Sequence, residues 1–267
     1  MTSGTPTAAD PYIASLGDNH VALASLVGYL GPHDLERPSG SSQWDVSQVL
    51  GHLGSGAVLA RASLAAALDG SDTSGVEPEA VWSRWNAMTA DERASEFVEA
   101  DGALVELYES LDETARRDLR INLPFLPAPA DVATVAGLRL NEVMLHRWDL
   151  EVEFDASAGL DPTAVELLID RVPFLIGFIG KADSWKAEPL HLAVETWDPT
   201  RNIGLAIGES VALTEAPAEP TGVLRAPAES WLRLVSGRLG SEHTPESVTL
   251  HGGPASLDDL RRVFPGY

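Results

Sequence analysis

The chain has 267 residues, 44% of them hydrophobic and 22% charged, a composition of one large or two ordinary globular domains rather than of a disordered segment. Its 18 Lys and Arg against 40 Asp and Glu leave a net charge of −22, which argues against nucleic acid and anionic membrane as partners, since both require basic patches. There is no cysteine, so neither a disulfide framework nor a thiolate metal site is available, and thiol chemistry has to use a thiol from solution. The first ten residues lack the basic-then-apolar pattern of a signal peptide. No run of about 18 apolar residues offers a membrane span, and a cytoplasmic protein is expected.

Asp10-Pro11 is a good start for a helix, and Ile13, Leu16, His20, Leu23, Val27 and Leu30 follow at spacings of three and four up to Gly31-Pro32. Asp45 with Gln48 three residues on forms a capping box, which predicts a second helix over 46–68. This helix carries His52 two turns inside it, and its small residues (Gly51, Gly54, Gly56, Ala57, Ala60) allow a neighbouring helix to come close. A third helical region spans 79–111, interrupted near 88–91, where Thr89 and Glu92 make another capping box. Trp82 and Trp85 are assigned to its core side. Prolines at 124, 127 and 129 forbid regular helix over 119–130, so this segment is an extended crossover. Asp131 then caps a fourth helix. Four helices with one long connection predict a four-helix bundle, a fold that builds metal sites from inward-facing carboxylates and histidines.

Beyond Glu153 the pattern changes. Asp161-Pro162 starts a helix that is apolar through Leu167, Leu168, Val172, Leu175 and Ile176. Short β-rich runs follow at 190–194, 203–207, 211–213, 222–224 and 248–250, with helices at 227–237 and 256–263. The expected architecture is a two-domain chain, a helical bundle over 1–155 followed by a smaller α+β domain over 156–267.

Glu142 and His146 lie four apart on the fourth helix, so both side chains leave one face, a turn apart. The same three-four rhythm runs through Val135, Leu138, Glu142, Leu145 and Asp149 and points the carboxylate into the bundle, where it is costly unless paired or bound to a metal. A catalytic zinc site typically takes three protein ligands and leaves one position open, and His52 is the best candidate for the third. His20, on the seam of the first helix, is assigned to the core. Asp149, one turn past His146, either orients an imidazole or is a solvated carboxylate near the helix end.

Trp44-Asp45-Val46 followed by His52, then Arg139-x-x-Glu142-x-x-x-His146-x-Trp148-Asp149, resembles the mycothiol-dependent maleylpyruvate isomerase family, within the wider DinB-like metal-binding bundles. Trp231-Leu232-x-Leu234-Val235-x-Gly237-Arg238 is similar to that family's sterol-carrier-protein-like C-terminal domain. The resemblance implies that His52, Glu142 and His146 are zinc ligands. It also implies that mycothiol, or a similar low-molecular-weight thiol, is the cofactor, and that an essential arginine falls at Arg238, with Arg225 as the competing placement. The expected enzyme is an isomerase or thiol transferase acting on a small anionic electrophile such as maleylpyruvate, as a monomer or homodimer. A thiolate adding to a cis double bond makes a single bond that rotates, and elimination returns the trans product. Two other readings stay open. One is a metal-dependent hydrolase using the same three residues, and the other is a non-catalytic protein that binds a small ligand.

Overall fold

The computed structural model describes residues 6–71, 73–171, 176 and 179–266. The chain divides into two compact units, Met1–Asp155 and Ala156–Tyr267.

The first unit is built on four long helices, α1 (Asp10–Tyr29), α3 (Val46–Leu68), α5 (Ala90–Glu109) and α7 (Val132–Phe154). Short helices α2 (Pro32–Leu35), α4 (Pro78–Asn86) and α6 (Glu113–Asp118) lie between them. The caps set these boundaries locally. The Asp45 side chain accepts from Gln48 N–H while Gln48 reaches back to Asp45 N–H, and Thr89 with Glu92 does the same for α5. At α7 the Asp131 carboxylate accepts from Thr134 N–H.

Helices α1 and α3 each pack on both α5 and α7. Chain neighbours α1 and α3 are therefore diagonal in the bundle, as are α5 and α7. Two long connections cross its ends where the sequence suggests one. The first contains α2, and the second contains α6 and a two-stranded ladder, β1 (Arg120–Ile121) on β2 (Ala130–Asp131). The expected extended crossover thus begins and ends in a strand.

Two further expectations are corrected. Helix α7 has no single buried stripe. It is enclosed on most of its circumference, with Arg139, Leu140, Val143 and Met144 buried and Leu138 only half-buried. The tryptophans of α4 also part company, Trp85 being 2% exposed and Trp82 47%. Trp85 is seated on α3 at Gly54, where an added Cβ would lie 2.1 Å from its Cη2. Helix α3 has the length and apolarity to cross a membrane by composition alone, and 44% of that window is buried.

In the second unit, α8 (Pro162–Leu168), capped by Asp161, passes into a 3₁₀ turn at Ile169–Arg171. The expected helical positions Val172 and Leu175 lie outside the described residues, and Ile176 is buried. The sheet comprises β3 (Leu190–Trp197), β4 (Arg201–Ile207), β5 (Val211–Glu215), β6 (Gly222–Pro227) and β7 (Thr249–His251), in the order β5-β4-β3-β6-β7. Among the described residues the β3–β6 pair is parallel and the β3–β4, β4–β5 and β6–β7 pairs are antiparallel.

Along β3, Leu190, Leu192, Val194 and Thr196 are buried. Helix α9 (Ala228–Val235) packs on β3 and β6 and touches both α8 and α10 (Leu257–Val263). Trp231 of α9 meets Phe264 edge-on at 6.4 Å. The C-terminus of α9 is closed by a Schellman motif, Gly237 N–H to Leu234 O and Arg238 N–H to Arg233 O, which requires the positive φ of 76° that Gly237 supplies.

The Gly54 contact yields a paired test. Gly54→Ala forces Trp85 off its seat and is expected to cost about 1–3 kcal/mol by overpacking. Gly28→Ala, where no atom lies within 4 Å of the added Cβ, should gain roughly 0.5 kcal/mol of helix propensity. Urea denaturation of both variants measures the difference.

Candidate functional site

His52 on α3 and Glu142 and His146 on α7 converge, with one ligand atom from each lying within 4.8 Å of the other two. His52 Nε2 is 3.2 Å and His146 Nε2 3.7 Å from Glu142 Oε2. The second imidazole nitrogen of His146 is already committed, its Nδ1–H donating to Asp149 Oδ2 at 2.8 Å. Asp149 is 0% exposed, so of its two readings the structure shows the carboxylate that orients an imidazole.

Trp44 closes one side, its ring 4.9 Å from that of His52 and 5.8 Å from that of His146. The segment bearing Trp44 is pinned to α7 by Gly40 N–H donating to Asp149 O at 2.7 Å.

The electrostatics favour an ionised carboxylate. Burial would raise the Glu142 carboxyl, but the His52 hydrogen bond and the charges of His146, His52 and Arg139 outweigh it and bring it down to about 2. Its side chain keeps 35% of its surface open, so solvent damps both the cost and the gain.

Behind Glu142 a buried charge chain links three helices. The Arg139 guanidinium donates from Nη2 to Asp101 Oδ1 (2.8 Å) and Leu53 O (2.9 Å), and Asp101 Oδ2 accepts from His20 Nδ1–H (2.9 Å). His20 is thus bound to α5 and is outside the His52 group. The Asp101 hydrogen bond raises the His20 pKa above its ordinary 6.5, against a smaller opposing effect of burial.

The arrangement suits a divalent cation. Bonds of roughly 2.0–2.2 Å in a tetrahedron place ligand atoms about 3.4 Å apart, and the 3.2 and 3.7 Å separations bracket that value. Two imidazoles and one carboxylate leave room for a further ligand.

Alongside this group lies a cavity of about 210 Å³ that shares His52 and is walled by Trp44, Trp82 and Trp85. Sequence reasoning missed it, because Trp82 and Trp85 give a core-like signal, and only their proximity to the His52 helix marks them as a wall.

The two candidate arginines sit in the second unit. Arg225, on β6, is at the surface and paired with Glu195 at 2.8 Å. Arg238 is 7% exposed, and its Nη1 donates to Ser236 O.

The fold and this constellation define a helical bundle carrying a His/Glu/His group, followed by a smaller sheet-rich α+β part. The family model for the mycothiol maleylpyruvate isomerase N-terminal domain matches residues 16–151, just over half of the chain, and the chain belongs to that family. Two similar solved structures are the crystal structure of the mycothiol-dependent maleylpyruvate isomerase and that of its H52A mutant. Each has a TM-score of 0.66 and 14% sequence identity over 94% of this chain and 95% of that one, a likeness of fold. No curated protein matches the chain by sequence.

The charge chain yields a second test. Asp101→Asn leaves Arg139 buried without its counter-charge and is expected to cost about 3–5 kcal/mol. His20 should titrate above 6.5 by NMR in the wild type. Because its folded value is the raised one, its contribution to stability is complete below pH 6.5 and is lost as pH climbs through the raised value.

Proposed function

We infer that the protein is a metal- and mycothiol-dependent isomerase acting on a small anionic cis electrophile of the maleylpyruvate type. The observation that carries this reading is the meeting of His52, Glu142 and His146 at one point, in a chain of the isomerase family. In this reading residues 1–155 are the metal-binding bundle and residues 156–267 the α+β domain. His52, Glu142 and His146 hold a divalent ion, zinc by the nature of the donors.

When bound, the ion and the thiol supply the chemistry, a cationic centre that stabilises a thiolate and a sulfur nucleophile that adds reversibly to a double bond. The chain's own residues prepare for that. Asp149 fixes the tautomer of His146 and turns its Nε2 toward Glu142. Glu142 stays ionised, so the donor set brings one negative charge and leaves a divalent ion with net positive charge. Trp44 covers the two imidazoles and limits water on that side.

Arg238 is assigned to the substrate carboxylate, a role suited to its planar fork. Arg225, paired with Glu195 at the surface, is the competing placement. A cofactor that works as a free thiol places the enzyme in a reducing compartment, the cytoplasm.

Metal analysis of protein purified without chelator is expected to find a stoichiometric divalent ion in the wild type and none in His52→Ala. Asp149→Asn should keep the fold and weaken metal affinity by about 10–100-fold, read by competition with a chromogenic chelator. Isomerisation of maleylpyruvate should occur only with added mycothiol and collapse in Arg238→Gln. Absence of stoichiometric metal in the wild type overturns the reading, and metal-dependent turnover without any thiol replaces it with a hydrolase.

A further inference from the structure

The cavity beside the His52 group has a lining that the chemistry of the metal centre does not require. Trp44, Trp82 and Trp85 give it aromatic walls, while Gln48, Ser55, Asn86 and Arg93 contribute polar atoms. Among the described residues no carboxylate lines it, although Asp and Glu number 40 in the chain. That composition disfavours a cation and favours a neutral, hydroxyl-rich ligand with an apolar face.

The polar groups are suitably disposed for such a ligand. Gln48 uses its side-chain oxygen to accept from Asp45 N–H, which leaves the NH₂ end as a donor. Arg93 donates to Trp85 O, Asn86 O and the Ser47 hydroxyl, all neutral acceptors, and two of its five N–H groups remain beyond those bonds. Asn86 offers both amide functions at the exposed C-terminal end of α4. The indole of Trp82, 47% exposed on the same helix, is a large apolar surface at the edge of the cavity.

We propose that this cavity seats the sugar ring of the thiol cofactor, with Trp82 as the stacking face and Asn86, Gln48 and Arg93 as hydrogen-bonding partners of its hydroxyls. The proposal rests on the mycothiol-dependent reading above. Mycothiol is a cysteine derivative whose amide carries a glucosamine–inositol pair, so its sulfur and its first sugar ring are separated by a short linker. The cavity shares His52 with the metal-binding group, so a ligand seated in it lies beside that group. A volume of about 210 Å³ is smaller than the several hundred Å³ of pockets that enclose a whole drug-sized ligand. It accommodates one ring and leaves the second in solvent. A sugar ring has C–H faces that lie on an indole and an equatorial edge of hydroxyls that both donate and accept, which amides match.

The test separates binding from turnover. S-methylmycothiol keeps both rings but gives no thiolate, so calorimetric titration with it reports on the cavity independently of catalysis. Wild type should bind it, Trp82→Ala should bind on the order of tenfold more weakly, and Trp82→Phe should recover part of the loss. Asn86→Ala, at a second exposed position, should weaken binding in the same direction with an unchanged Tm.

In turnover assays Trp82→Ala should raise KM for mycothiol more than it lowers kcat. Equal binding of S-methylmycothiol by wild type and Trp82→Ala, or no binding by wild type, overturns the proposal. So does a rise in KM for the electrophile alone, which would assign the cavity to a substrate carboxylate at Arg93. If turnover proves independent of thiol, the isomerase reading falls while the calorimetric result still stands by itself.

Discussion

His146 can turn one nitrogen toward Glu142 only because its other nitrogen is held by Asp149. That single hydrogen bond decides the tautomer, the ring plane and the direction of the free lone pair. It is maintained by burial, since Asp149 is shut off from solvent and has the imidazole N–H for a partner. His52, on another helix, then completes a group whose spacing is set by helix packing. The metal-binding geometry is therefore a property of how α3 and α7 lie together, and the loop from α2 to α3 contributes by pressing Gly40 against the backbone of Asp149.

The diagonal connections explain why this group has a pocket beside it. Helix α3 packs on α4, α5 and α7, and its glycines let side chains of the neighbouring helices come down onto its backbone. Trp85 occupies the space at Gly54, and the Arg93 stem lies against Gly51. With those two seated, α4 is held so that Trp82 faces the gap instead of filling it. The small residues of α3 thus determine both the approach of α4 and the shape of the cavity next to His52.

Much of this was legible locally. The capping boxes at Asp45–Gln48 and Thr89–Glu92 and the cap at Asp131 specify helix starts through contacts three residues apart, and such contacts survive in a linear reading. Glu142 and His146 share a helix face by the same logic. The buried face of α7 is not legible in its sequence because a helix enclosed on most sides has no dominant face for periodicity to reveal. Trp82 and Trp85 carry the same residue type three positions apart, and their different fates depend on a glycine in another helix. The β1–β2 ladder was hidden for a similar reason, since two-residue strands are defined by their pairing and not by their composition. The Arg139–Asp101–His20 chain joins residues from α7, α5 and α1 that nothing in their own neighbourhoods connects.

That chain has a bearing on how the bundle is allowed to change. A slide of one helix by a turn, or loss of one member, would strand a charge in the interior, so α1, α5 and α7 are keyed to one another as the wards of a lock are to its bit. Descendants of this sequence could exchange the trio for apolar residues only by concerted replacement. The three positions should therefore drift as a set, even though none of them belongs to the group around His52.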